Sequence, residues 1–334
     1  MSFRSRDDVR SVLRFTLHLS LAASLLLFAP VAARGDEGRA EIRNVVLVTI
    51  DGVRCEEVFG PGREARMPFL WHVMAQDGQL LGDASRGSHL RVSNATDRSY
   101  PGYSELLTGV VDPRIQNNDR VVNPNPNVLE WLDAAPDLRG RVAALGGWDL
   151  LPFILGGDRS KLRIVAGGKD AATEAAALED LRTRAPRVLY VMLNETDDWA
   201  HQGEDELYLD ALHRADAFLA RLWAAVQELP EYRGRTALVV TTDHGRGSGG
   251  DWTRHGAKVP GSEAIWLAAL GPDTPALGVR AGVDGVQAQV ASTVAALLGR
   301  DWRARVPAAA PPLPGVAPAL PSAVIAQPRP AKAP

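Results

Sequence analysis

Cysteine is nearly missing from this chain: Cys55 is the only one among 334 residues. One thiol excludes an internal disulfide and a zinc site built on thiolates, so stability outside the cytoplasm would have to come from packing. Cys55 itself reads as a small core filler rather than a nucleophile. A charge excess of either sign is missing too. Lys and Arg number 37 against 40 Asp and Glu, a net charge of −3, so no basic surplus is available to neutralise a nucleic-acid backbone. Duplex nucleic acid is therefore not an expected partner. No internal repeat is present. Histidine is scarce, at seven, yet two of the seven fall within the short stretch Thr241–Gly256.

The chain is 46% hydrophobic and 23% charged, a globular profile. Its two ends differ from the middle. Arg4, Arg6, Arg10 and Arg14 precede an apolar stretch from Phe15 to Ala33, and Val31-Ala32-Ala33 offers small residues for cleavage. Residues 1–33 are read as an export signal, which predicts a periplasmic or secreted protein; uncleaved, the same stretch would be a membrane anchor. Asn94-Ala95-Thr96 fits a glycosylation sequon. From Val306 to Pro334 the chain is rich in Pro and Ala. Proline at that density opposes helix and central strand, so residues 306–334 are expected to form a disordered or polyproline-like tail. One folded domain is expected over residues 41–305.

Short apolar runs alternate with helical patterns there. Strands are predicted at Asn44–Ile50, Arg141–Gly146, Leu162–Gly167, Arg187–Leu193, Thr236–Thr242 and Ala264–Leu270, with the continuous apolarity of strands buried on both faces. Helices are predicted at Glu204–Leu229, Pro68–Gln76, Asn127–Ala134, Ala171–Arg184 and Val283–Leu298. The expected fold class is α/β: a three-layer α/β/α sandwich with a mostly parallel central sheet. Ligands of such sheets bind beyond the carboxyl ends of the strands.

Three predicted strands end in acids and histidines. Asn44–Ile50 runs into Asp51-Gly52, Arg187–Leu193 into Asp197, Asp198 and His201, and Thr236–Thr242 into Asp243-His244, with His255 beyond a glycine-rich turn. One Asp-Gly is ordinary turn chemistry, but three armed strand ends on one rim point to a site. Carboxylate and imidazole suit zinc, manganese or iron. Either Asp197 or Asp198 is a helical neighbour of His201, and spacing does not choose between them. Counting one of that pair, six candidate ligands exceed what one open tetrahedral ion needs and suit two ions, the clamp used for displacement at phosphorus. Ser99, before Tyr100-Pro101 and a short predicted helix, is a candidate nucleophile near free N–H groups; the plainer reading is a helix cap.

These motifs resemble the alkaline phosphatase superfamily, and most of all its nucleotide pyrophosphatase/phosphodiesterase branch. "VLVTIDGVR" is similar to the opening strand with its metal aspartate, Asp51. "RSYPGYSELLTG" is similar to the nucleophile segment, which points to Ser99. "NETDDWAHQG" resembles the segment with Asp four residues before His, which favours Asp197 over Asp198. "VVTTDHG" and His255-Gly256 resemble the remaining ligand motifs. The resemblance implies an alkaline-phosphatase-like fold and two divalent ions, zinc in most relatives with manganese the other candidate. One ion would be held by Asp197, His201 and His255, the other by Asp51, Asp243, His244 and Ser99. It also implies a phospho-Ser99 intermediate, and Asn118 as donor to a phosphoryl oxygen, with Asn117 beside it. The implied activity is hydrolysis of a small phosphate ester or nucleotide-like substrate. Two departures stand out. Gly102-Tyr103 replaces the usual Asn-His, and Tyr103 occupies the arginine position of typical sulfatases. A sulfatase- or phosphonate-hydrolase-like enzyme and a non-catalytic metal-stabilised binding protein are the alternatives. Selectivity is expected from loops near Arg63–Arg66, Gly82–Asn94 and Trp148–Asp158; His89 is a minor candidate for substrate contact.

Overall fold

The computed structural model describes residues 42–320; the expected export signal and residues 321–334 lie outside them. Eleven strands form among the described residues: β1 Asn44–Ile50, β2 Gln79–Leu81, β3 His89–Arg91, β4 Val142–Gly146, β5 Arg163–Ala166, β6 Val188–Leu193, β7 Thr236–Thr241, β8 Ala264–Ile265, β9 Leu267–Leu270, β10 Gly278–Val279 and β11 Asp284–Val286. Strands β1, β6 and β7 are buried along their whole length, as runs of Val, Leu and Thr covered on both faces must be.

The main sheet has the order β10-β2-β9-β7-β1-β6-β4-β5. Its middle is parallel: β1 pairs with β6 and β7, and β4 with β6 and β5. Only β9 runs antiparallel to its neighbours β7 and β2. Successive residues of a strand face opposite sides, and this sorts the core into two layers. Val45, Leu47, Tyr190 and Val239 pack with Leu106, Leu132 and Val294 of helices on one face. Val46, Val48, Leu189 and Val240 pack with Leu212, Leu219 and Leu222 on the other. Each such side chain contributes about 1.5–3 kcal/mol of burial. The result is the expected three-layer α/β sandwich with a mainly parallel sheet.

The long helix Asp205–Glu228 buries Tyr208, Leu212, Ala215, Leu219, Leu222 and Val226, the stripe that its periodicity predicts. Asn127 caps Val128–Ala134 by accepting from the Glu130 N–H at 2.9 Å. No helix among the described residues is long and apolar enough to cross a membrane.

Three expectations need correction. The predicted strand Ala264–Leu270 is broken at Trp266 into β8 and β9, which serve different sheets. The predicted helix Val283–Leu298 starts only at Gln289, because residues 284–286 pair with β3 instead. The tail expected from residue 306 does not begin there. Ala309, Leu313 and Val316 are buried, and the prolyl-segment carbonyls accept from side chains: Ser292 donates to Ala310, Gln289 to Pro311 and Gln79 to Gly315. Proline removes donors but leaves acceptors, so a segment unfit for helix or sheet still docks where side-chain donors meet it. The folded domain therefore extends past residue 305, through residue 320.

Candidate active site

Parallel register places the armed strand ends on one rim. Ile50 lies opposite Leu193 and Thr49 opposite Thr241, so Asp51, Asn194 and Asp243-His244 emerge side by side. The chain turns after β1 at Gly52, with φ +63°. A Cβ there would come within 2.7 Å of Asp197 Oδ1, so the position admits only glycine. The Gly52 N–H donates to Asp243 Oδ1 at 3.1 Å. Helix Glu195–Gln202 follows β6 and carries Asp197 in its first turn and His201 in its last. Asp197 Oδ2 is 3.3 Å from His201 Nε2, whereas Asp198 is exposed; the structure brings Asp197, not Asp198, into the cluster.

Ser99 opens the helix Ser99–Thr108. It does not cap that helix: the N-cap residue is Arg98, and Ser99 Oγ lies 3.2 Å from His244 Nε2. A Cβ on Gly102 would sit 2.6 Å from the Asp243 carbonyl oxygen, so glycine here lets the helix Ser99–Thr108 rest directly on the strand end. The free N–H groups expected at the helix start are reduced. Pro101 has none, and the Tyr100 N–H donates to Asn118 Oδ1 at 2.9 Å. Asn118 is thereby seated against the first turn beside Ser99. Its neighbour Asn117 accepts from Arg98 at 3.3 Å instead.

The acceptors in this cluster face one another without enough donors. His244 Nδ1 is 2.9 Å from the Gly245 carbonyl and His255 Nδ1 is 2.8 Å from the Asp97 carbonyl. Each Nδ1 must carry the proton, which leaves both Nε2 lone pairs aimed inward. His244 Nε2 lies 3.5 Å from Asp51 Oδ1 and 3.4 Å from Asp243 Oδ2, and those two carboxylate oxygens are buried without a hydrogen-bond partner. His255 Nε2 is 3.0 Å from His201 Nε2, and the His255 ring stacks on His244 at 3.9 Å. Orphaned carboxylate oxygens facing imidazole nitrogens are what a cation satisfies. Asp51, Asp243 and His244 form one candidate metal group; Asp197, His244 and His255 form another, with His201 at its edge. The donor set fits divalent ions.

Electrostatics differ across the cluster. Burial, then the Asp243 charge, pushes the Asp51 carboxyl well above the usual range. Asp243 is raised by burial and by Asp197. Burial also opposes ionisation of Asp197, but the His201 hydrogen bond and the Arg246 charge outweigh it, and its carboxyl lies below the usual range. Burial lowers His244 to about 4 and, with the His244 charge, His255 to about 3, so both rings are neutral donors of lone pairs at neutral pH. The Tyr103 hydroxyl, held well above its usual range by burial and by Asp243, donates to Asp51 Oδ2 at 2.8 Å.

Several residues at the centre were not singled out as site residues from sequence. Arg246 is buried against Asp197; its only sequence signal is its place two residues after His244. Asn194 donates to Asp51 Oδ2 at 3.2 Å, from the position directly after β6. Other candidates have structural roles. Arg63 stacks on Trp71, and Arg66 donates to the Glu57 carbonyl. Asn94 is buried and donates to Glu105 at 3.0 Å, so the sequon is not an open glycosylation site. Burial pushes the Cys55 thiol up to about 12, as suits a packing residue. A cavity of about 560 Å³ opens beside His255, with Arg98, Arg254 and Lys258 in its wall and no acidic side chain.

Comparison with known proteins agrees with this geometry. The family model described as type I phosphodiesterase / nucleotide pyrophosphatase matches residues 70–254, a span holding Ser99, Asp197, His201, Asp243 and His244 but stopping short of Asp51 and His255. No curated protein matches the chain. Among solved structures, the phosphonate monoester hydrolase of Silicibacter pomeroyi is 15% identical, with 83% of this chain and 77% of that chain covered and a TM-score of 0.62. The lipoteichoic acid synthase LtaP of Listeria monocytogenes is 13% identical, with coverage of 79% and 74% and a TM-score of 0.57. The murine ectonucleotide pyrophosphatase / phosphodiesterase 5, an inactive form in complex with AMP, is 14% identical, with coverage of 81% and 96% and a TM-score of 0.53. A strand-end cluster on an alkaline-phosphatase-like sheet, together with a match over more than half of the sequence, places this chain in the type I phosphodiesterase/nucleotide pyrophosphatase family, among the hydrolases of the alkaline phosphatase superfamily.

Proposed function

We propose that the protein is an exported, two-metal phosphoric-ester hydrolase, a phosphodiesterase or phosphatase, with Ser99 as its nucleophile. The observation that carries this reading is Ser99 Oγ, 3.2 Å from His244 Nε2, beside two buried carboxylate oxygens that have no partner. A structural metal site would need neither a second group of ligands nor a hydroxyl at its edge. Two divalent ions, zinc or else manganese, held by Asp197, His201 and His255 and by Asp51, Asp243, His244 and Ser99, would supply charge that eases ionisation of the serine and stabilises the transition state.

The chain's own groups have separate tasks. Ser99 Oγ gives up its proton to solvent and forms a bond to phosphorus while the bond to the leaving oxygen breaks, and the departing alkoxide takes up a proton from solvent. Water then attacks the phosphoserine, releasing phosphate or a monoester and restoring Ser99. The Asn118 amide, fixed by its contact with the Tyr100 N–H, donates to a phosphoryl oxygen. Tyr103 and Asn194 hold the Asp51 carboxylate in place through its Oδ2. The cationic cavity beside His255 suits a small ester whose second substituent is itself anionic, as in a nucleotide.

The test is a substrate panel of nitrophenyl phosphate mono- and diesters, a phosphonate and a sulfate ester, run on metal-loaded protein. About two ions per chain and turnover of a phosphoric ester are expected, with the rate falling on the order of 10³-fold or more in Ser99→Ala. Bound metal with no turnover of any ester, or a Ser99→Ala variant as fast as the parent, would sink the reading.

A further inference from the structure

Arg246 is the permanent positive charge inside the centre. Its side chain is fully buried, although a guanidinium stays ionised in any protein environment. Burial of such a group is tolerated only against a carboxylate and other acceptors. Arg246 has them: Nη2 contacts Asp197 Oδ1 and lies 3.3 Å from the Asp197 carbonyl, and Nη1 donates to the Thr253 carbonyl at 2.9 Å. Its Nε is buried without a partner, next to the space that a Cβ on Gly52 would fill, at 2.9 Å. The guanidinium thus ties the start of the His201 helix to the loop that leads into His255.

Nothing comparable stands beside the other carboxylates. No Lys or Arg among the described residues forms an ion pair with Asp51 or Asp243, whose one basic neighbour within ion-pair range is His244. One part of the centre therefore has two carboxylates without a cationic partner and one imidazole. The other has one carboxylate, already paired with a guanidinium, and two imidazoles.

We infer that Arg246 is a built-in cation that divides the two-ion centre into a tight position at Asp51, Asp243 and His244 and a labile position at Asp197, His201 and His255. The inference rests on the two-ion reading. An ion entering the first position meets two carboxylate oxygens that lack a hydrogen-bond partner. An ion entering the second shares Asp197 with Arg246 and is repelled by it, in a buried site where charges are weakly screened. Arg246 is a positioning and charge-balancing residue, not a group that touches substrate.

The experiment is calorimetric titration of the metal-stripped, full-length protein with Zn²⁺ alone, with circular dichroism recorded on each variant. The parent is expected to bind in two steps separated by about 100-fold or more in affinity. Arg246→Met frees Asp197 and is expected to tighten the weaker step by about tenfold or more, with a smaller change in the stronger step, because the Arg246 charge reaches Asp51 only from farther away. Arg246→Lys keeps the charge and is expected to keep the parent's weaker step. Two steps of equal affinity in the parent would overturn the inference without any variant, so it stands or falls even if Arg246→Met does not fold. A folded Arg246→Met protein whose weaker step is unchanged or weaker would overturn it as well. Absence of any Zn²⁺ binding would remove the two-ion reading itself, a different result from two indistinguishable ions.

Discussion

Asp51 and Asp243 are 2% and 0% exposed, and neither has a cationic side chain for a partner. Asp197, with a side chain 15% exposed, meets Arg246 and His201. All three are aspartates just past the ends of parallel strands on the same rim, yet their surroundings treat ionisation in opposite ways. Burial and like charge raise Asp51 and Asp243, whereas the surroundings of Asp197 keep it ionised. In the ion-free chain the surroundings of the deep pair oppose its ionisation, and the outer group is a satisfied ion pair. Binding machinery and fold stability therefore pull against each other at one place and agree at the other.

The sharpest way to break that comparison is to delete one carboxylate from each part and unfold the metal-stripped protein in urea. Asp197→Ala leaves Arg246 buried and unpaired, and an expected loss of about 3–5 kcal/mol follows. Asp51→Asn removes a repelling charge and keeps an acceptor for Tyr103, so stability is expected to hold or rise by about 1 kcal/mol. Losses of equal size in the two variants would show that the parts are electrostatically alike.

A smaller effect is expected in the cavity beside His255. The double variant Arg254→Ala with Lys258→Ala should raise KM about tenfold for an ester with an anionic second substituent, at an exposed-pair cost of under about 1 kcal/mol per charge. KM for a neutral diester should not move. Steady-state kinetics on both substrates checks this, and a parallel rise in the two KM values would assign the cations a structural role. The smallest effect is expected from Tyr103→Phe. It removes the 2.8 Å bond to Asp51 and should lower stability by about 1 kcal/mol in the urea titration. A loss as large as that of Asp197→Ala would mean that Tyr103, rather than Arg246, decides how the centre is balanced.

Much of the centre was legible because its residues follow apolar runs. A parallel sheet must bring Asp51, Asp243 and the start of the His201 helix to one rim, whatever the loops do. The glycine turn between His244 and His255 was legible for the same reason. Contacts that cross between loops were not. Arg246 looked like any arginine beside a glycine, since only the folded loop shows that Thr253 and Asp197 surround it. The first-turn N–H of Tyr100 looked free until Asn118 closed on it. The proline-rich segment past Val306 looked unstructured because composition reports what its backbone cannot donate. The carbonyls of residues 310–315 find donors in Gln79, Gln289 and Ser292, which are remote in sequence.

Local chain chemistry alone determined the layered α/β class, the sites of the principal strands and the residue types gathered at their ends, because apolar periodicity and strand-end turns are short-range properties. Tertiary structure alone decided that Asp197 and not Asp198 enters the cluster, that Ser99 faces His244 instead of capping its helix, and that one aspartate is neutralised by Arg246 while two are left uncompensated. Those outcomes depend on distances and burial between segments far apart in sequence, as with Gly52 and Asp243, 191 positions from each other, and charge balance at a buried site is set by such neighbours rather than by the residue itself.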